Sequence, residues 1–194
     1  MSKATDGPER AVNGLLSVAH LLEEPRLARL YTFVLQDGEV TIDDITADLE
    51  LPRTTAYSDT GTLVELGVLT RDDDQKTHTY SAIPLTLTAT LDGDEYTVTP
   101  TLIAAFGRSP QDQDLDLLIE KYGLGKLAAA LTYAIPYTNG DMSERVAARE
   151  LDLQYAFAVA VLQALRDIIH DMEAIDPYFE DIQNAREHPP ATQD

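Results

Sequence analysis

Arg53, Thr54, Tyr57, Ser58 and Gly61 lie within the stretch RTTAYSDTGTLVEL, spaced so that a helix gathers them on one side. Ala56, Thr60, Leu63 and Leu66 then share the opposite side. The first side holds a guanidinium, three hydroxyls and a glycine. Groups of this kind hydrogen-bond to base edges and phosphate oxygens, and the N–H groups at the helix start attract a phosphate as well. Gly61 lets another backbone approach closely, at a helix-propensity cost of about 1 kcal/mol relative to Ala. The chemistry on offer is recognition of a nucleic acid rather than bond making.

A second set of donors follows. Arg71, Lys76 and His78 lie in or beside the run DDDQK, the loop between the segments VLTR and THTYSAI, which alternate apolar with polar and read as a hairpin. Asp72, Asp73 and Asp74 stand in the same loop and oppose contact with a polyanion unless cations intervene. Read without a ligand, the loop is an ordinary solvated turn.

Several elements must position these two sets. VNGLLSVAHLLEE places Val12, Leu15, Leu16, Ala19 and Leu22 at helical spacing. Pro25 opens a second helix with Leu27, Leu30, Tyr31, Val34 and Leu35 as its stripe, ended by Asp37-Gly38. Thr41 and Asp44 form a capping box with Asp in the usual Glu position, and the short helix they open buries Ile42, Ile45 and Leu49. The Leu51-Pro52 corner leads into the Arg53 helix, and Gly67 is placed to end it in a left-handed conformation. Helix, short helix, tight turn, helix and hairpin is the order of a winged helix-turn-helix.

Beyond the hairpin, LTLTATL and EYTVT joined by Asp92-Gly93 predict a second hairpin that extends or covers the first. Thr99 and Pro100 read as cap and first residue of a helix closed by Gly107. Four further helical segments follow, and the last is almost wholly apolar from Ala156 to Leu165. ITADLELPRTTA and VAARELDLQYAF share an Ala-x-x-Leu-x-Leu core if one residue is inserted, which suggests a helix-turn-helix shape reused for packing. The expected organisation is an N-terminal helix over 1–24, a winged helix with an extra hairpin over 25–99, a helical domain over 100–182 and a loose tail over 183–194.

Composition sets outer bounds. The 194 residues carry 34 Asp and Glu against 14 Lys and Arg, a formal net charge of -20. A Lys-poor, Asp-rich surface of this kind is similar to that of proteins from salt-accumulating halophiles. At molar salt the Debye length is about 3 Å, so the net charge does not by itself exclude DNA. It does exclude reliance on a broad basic patch. The chain has no cysteine, which removes thiolate nucleophiles, disulfides and Cys-ligated metal. His20, His78, His170 and His188 are scattered without metal-ligand spacing, and no phosphate loop, GxSxG or dinucleotide fingerprint occurs. No catalytic residue, metal or cofactor is expected. Apolar runs are short and MSKATDGPER lacks the apolar block of a secretory signal, so a soluble cytoplasmic protein with no membrane association is the expectation.

The DDITADLELPRTTAYSDTGTLVELGVL core and the hairpin after it resemble the winged helix of ArsR, MarR and TrmB-type transcriptional regulators, over about residues 25–84. The whole chain, including VNGLLSVAHLLEEPRLARLYTFVL and ERVAARELDL, further resembles a group of haloarchaeal proteins of this type. That resemblance implies a mainly α protein with a small β component, binding double-stranded DNA as a homodimer, with dimer contacts in helices flanking the wing. Val12, Leu15, Leu16 and Leu22 of the first helix, and Phe157, Val161 and Leu165 of the last, are the dimer candidates. Any effector is left open. The competing expectation is a protein-interaction or assembly module that keeps the winged fold without the DNA contact.

Overall fold

Capping and periodicity decide most of the elements. The computed structural model describes residues 6–73, 77–91, 94–180 and 182; side chains at 6–13 and 89–96 fall outside the description. Helices α1 (Asp6–Leu21), α2 (Pro25–Asp37), α3 (Ile42–Asp48) and α4 (Arg53–Glu65) precede the strands β1 (Leu69–Asp72), β2 (Thr79–Ala82), β3 (Leu87–Leu91) and β4 (Asp94–Val98). After the strands come the helices α5 (Pro100–Arg108), α6 (Gln113–Tyr122), α7 (Leu124–Thr138), α8 (Glu144–Glu150) and α9 (Tyr155–Met172). The fold is mainly α with two small antiparallel hairpins, as the sequence predicts.

The Thr41 hydroxyl accepts from the Asp44 N–H and the Asp44 carboxylate accepts from the Thr41 N–H, so the capping box forms and fixes where α3 begins. Gly67 sits at φ +72° and turns the chain from α4 into β1. Thr99 caps α5 through the Leu102 N–H, with Pro100 as its first residue. The predicted stripes of α2 and α3 are buried.

The two hairpins are separate two-stranded sheets rather than one extended sheet. Val40 adds a one-residue bridge to the wing, exchanging backbone hydrogen bonds of 3.0 and 2.8 Å with Tyr80. Strand β3 lies beside α1. Helix α1 turns Ser17, Val18 and Leu21 inward, and the Ser17 hydroxyl donates to the Leu66 carbonyl.

Gly107 does not stop α5. The helix runs through it to Arg108, and a 3-10 turn follows at Ser109–Gln111. Its lack of a side chain serves packing: a Cβ there would stand 2.5 Å from the Arg29 backbone nitrogen. Helices α2 and α5 therefore cross in backbone contact at this point. Pro136 lies inside α7, in its last turn. The buried residues form one cluster that continues across residue 100, from Leu21 to Phe179.

The internal resemblance takes definite form. Glu50 and Asp152, both non-glycine, hold φ of +53° and +49° in the turns between α3 and α4 and between α8 and α9. Leu49 pairs in register with Leu151, Ala56 with Ala158, Thr60 with Leu162 and Leu63 with Leu165, and all eight are buried. No inserted residue is needed. The second helix-turn-helix is built on the same turn as the first, with its helix α9 enclosed by α5, α6, α7 and α8.

Candidate nucleic-acid interface

Helix α4 is aimed by the turn before it. Leu49 ends α3, Glu50 takes the left-handed region, and Pro52, which has no N–H to lose, precedes the first turn. No side chain caps that N-terminus. The inner side of α4 buries Ala56, Asp59, Thr60 and Leu63, and the Thr60 hydroxyl is satisfied by the Ala56 carbonyl at 2.7 Å. Asp59 is a charge in the inner row that periodicity alone does not explain. It takes a 2.7 Å bond from Arg26 Nε on α2, with a second contact of 3.4 Å from Arg26 Nη2. Hydrogen bonding to Asp59, then its charge, raises the Arg26 guanidinium above its ordinary value.

Arg53, Thr54, Tyr57, Ser58 and Gly61 are all exposed, Tyr57 by 50%. A Cβ built on Gly61 would meet nothing within 4 Å, so no neighbour in the chain requires glycine there. The Arg53 guanidinium lies 5.8 Å from the Tyr57 ring centre and is ion-paired with Asp43 of α3. Hydrogen bonding to Tyr57, then the Asp43 charge, raises the guanidinium further above its ordinary value.

The wing shows the same pattern of a cation with a resident acid. Asp73 receives Arg71 Nε at 2.8 Å and Arg71 Nη2 at 3.0 Å, and it also meets His78 Nδ1 at 2.8 Å. The Arg71 hydrogen bond holds the Asp73 carboxyl below its usual range. Lys76 lies outside the described residues. Arg53, Tyr57 and His78 come together along a groove of about 160 Å³ between α4 and the wing, with Thr41, Asp43, Thr77 and Tyr80 completing its walls. Ser58 faces a different groove, beside His20, Glu23, Glu24 and Arg26. Asp43 is what residue-type reasoning misses, since its pairing with Arg53 joins α3 to α4, whereas Asp73 already stands out among the acids of the wing loop.

The dimer candidates separate. Leu15 and Leu16 are 53% and 59% exposed on α1, Leu22 is half-buried, and the side chain of Val12 lies outside the described residues. Val161 and Leu165 must be corrected: both are fully buried inside the chain's own core, where four neighbouring helices use the apolar stripe of α9. Half-buried Phe157 stacks on Tyr122 with ring centres 6.4 Å apart. Among the described residues no helix is long and apolar enough to cross a membrane. Nor does any group of three or more His, Asp or Glu among them stand ready for a metal ion.

Comparison with known families gives two matches. Residues 109–174 match a family of unknown function, DUF7437. Neither the curated proteins nor the solved structures give a match. Residues 27–86 match the sugar-specific transcriptional regulator TrmB, so the elements that carry the candidate interface, α2 to the wing, are similar to the helix-turn-helix domain of that regulator family.

Proposed function

We propose that the chain is a DNA-binding transcriptional regulator that lays α4 in a duplex groove with the β1–β2 wing beside it, acting as a homodimer in a salt-rich, archaeal-type cytoplasm. The observation that carries this reading is the outward side of α4: Arg53, Thr54, Tyr57, Ser58 and Gly61 are exposed together, above a helix start that no side chain caps. Arg53 and Tyr57 reach base edges in this reading, and Thr54 and Ser58 hold phosphate oxygens. The ion pairs balance Arg53 with Asp43 and Arg71 with Asp73, and in this reading salt screens the remaining acidic charge of the molecule. Leu15 and Leu16 offer an exposed apolar pair for two-fold association, the arrangement that spans paired half-sites.

The test is selection of duplexes from a random pool in 2 M KCl, followed by fluorescence anisotropy with Arg53→Ala and Tyr57→Ala. Each variant is expected to lose about tenfold or more in affinity with an unchanged circular dichroism spectrum. Wild-type affinity in both would sink the assignment. Sedimentation of Leu16→Glu against the unaltered protein tests the dimer.

A second reading is supported by the same ion pairs. Asp43 and Asp73 occupy the cations of the interface, which suits a basic protein segment better than a polyanion. Failure to select any duplex, with capture of a Lys- and Arg-rich peptide, would favour it.

A further inference from the structure

The backbone contact between α2 and α5 brings two arginines to one place. Gly107 meets the backbone at Arg29, and Arg108 is the next residue of α5. Both side chains line a cleft of about 280 Å³, away from the α4 groove, between α2 and the end of α3 on one side and α5 and α9 on the other. Its walls are Phe33, Leu49, Ala104 and Ile168, with the polar groups of Gln36 and Gln111 also present. A crossing held by backbone contact sets the spacing of the two arginine backbones before any ligand arrives, while their guanidiniums stay free to turn toward it.

Neither guanidinium is strongly engaged. Arg29 Nη1 reaches only the Leu49 carbonyl, at 3.5 Å. Arg108 Nη1 reaches Asp171 at 3.5 Å, a contact between two half-exposed groups. The Gln36 amide donates to the Met172 sulfur at 3.4 Å. Thr32, also in the lining, donates back to the Ala28 carbonyl.

We propose that this cleft binds a small monocarboxylate with a short apolar body. Two guanidiniums set against one lining carboxylate, Asp171, leave a single positive charge, which matches a carboxylate better than a phosphate dianion. Planar guanidinium and carboxylate pair in matching geometry, and the apolar walls receive an alkyl chain. Occupancy would draw Arg29 from the Leu49 carbonyl, the last residue before the turn that aims α4. The binding claim itself does not depend on the DNA reading.

Isothermal titration of the whole chain with hexanoate in high KCl, compared with hexyl phosphate and 1-hexanol, provides the test. Hexanoate is expected to bind saturably at one site, with Kd of about millimolar for so small a ligand. Arg29→Gln and Arg108→Gln should each weaken it about tenfold, and Asp171→Asn, which removes a competing acid, should tighten it. Circular dichroism checks that the variants fold, and methyl shifts of Ile168 and Leu49 report the site directly. The proposal is overturned if hexanoate shows no saturable binding, if hexanol or hexyl phosphate binds as tightly, or if both Arg variants bind hexanoate unchanged.

Discussion

Arg26 of α2 donates from Nε to Asp59 of α4 at 2.7 Å, and Asp59 is nearly buried while Arg26 remains about half exposed. This pair fixes the rotation of the proposed recognition helix against its support. Arg26→Ala strands a buried carboxylate, and with solvent screening the cost is about 1–2 kcal/mol, or a fall in Tm of roughly 4 °C. Asp59→Asn keeps an acceptor for Arg26 and should cost less. Urea melts of the two variants check the order.

Two glycines should respond in opposite directions to alanine. Gly107→Ala drives a Cβ into the Arg29 backbone and is expected to cost about 3 kcal/mol. Gly61→Ala meets open space and should add about 0.5–1 kcal/mol of stability. If Gly61 exists for close approach to DNA, the stabilised variant binds duplex more weakly. Thermal melts paired with anisotropy read both effects.

Much of this was legible from local signals. The Thr41/Asp44 box, the Thr99-Pro100 start, and Gly67 at its turn each act over a few residues, and the structure has them where the spacing puts them. The exposed side of α4 follows from periodicity alone. What the sequence hides is pairing between distant positions: Val40 with Tyr80, Arg26 with Asp59, Asp43 with Arg53. Gly107 reads as a helix stop in the sequence and serves a helix crossing in the fold, because both ask for the same residue. An apolar run such as that in α9 likewise says that a face is covered, without saying whether by this chain or by another.

Tyr31 supplies a pH signature. Its buried hydroxyl donates to the Ile83 carbonyl at 2.8 Å and accepts from the Leu85 N–H at 3.0 Å. Burial pushes the phenol well above its usual range, against the lowering effect of the Leu85 bond. In the unfolded chain the phenol ionises near pH ~10, while in the fold it stays neutral. The unfolded state then binds fewer protons, so this group's stabilising effect is level below that pH and declines above it, by up to about 1.4 kcal/mol per unit. Tyr31→Phe should be less stable than the parent by about 1–2 kcal/mol at pH 7, with the gap narrowing above pH ~10. Denaturant titrations across this range, fitted as differences, isolate Tyr31 from the other tyrosines.

The Asp43–Arg53 ion pair separates the two functional readings. Asp43→Asn leaves Arg53 without its acidic partner on α3 and removes a repelling charge from the groove. For a DNA regulator, duplex affinity should rise by about threefold to tenfold, with the gain shrinking as KCl increases. For a module that takes a basic partner, the same change should weaken binding. Anisotropy with duplex and with a basic peptide distinguishes the two.

Thr101 lends its N–H and its hydroxyl to Asp176, a carboxylate 75 residues downstream, at 2.9 and 2.5 Å. The beginning of α5, the helix on which α2 rests, thus takes its anchor from nearly the last turn of the described chain. During synthesis α1 to α4 and the wing emerge long before that anchor exists. A product ending short of Asp176 would leave the start of α5, and through it the seat of α2, without this carboxylate anchor.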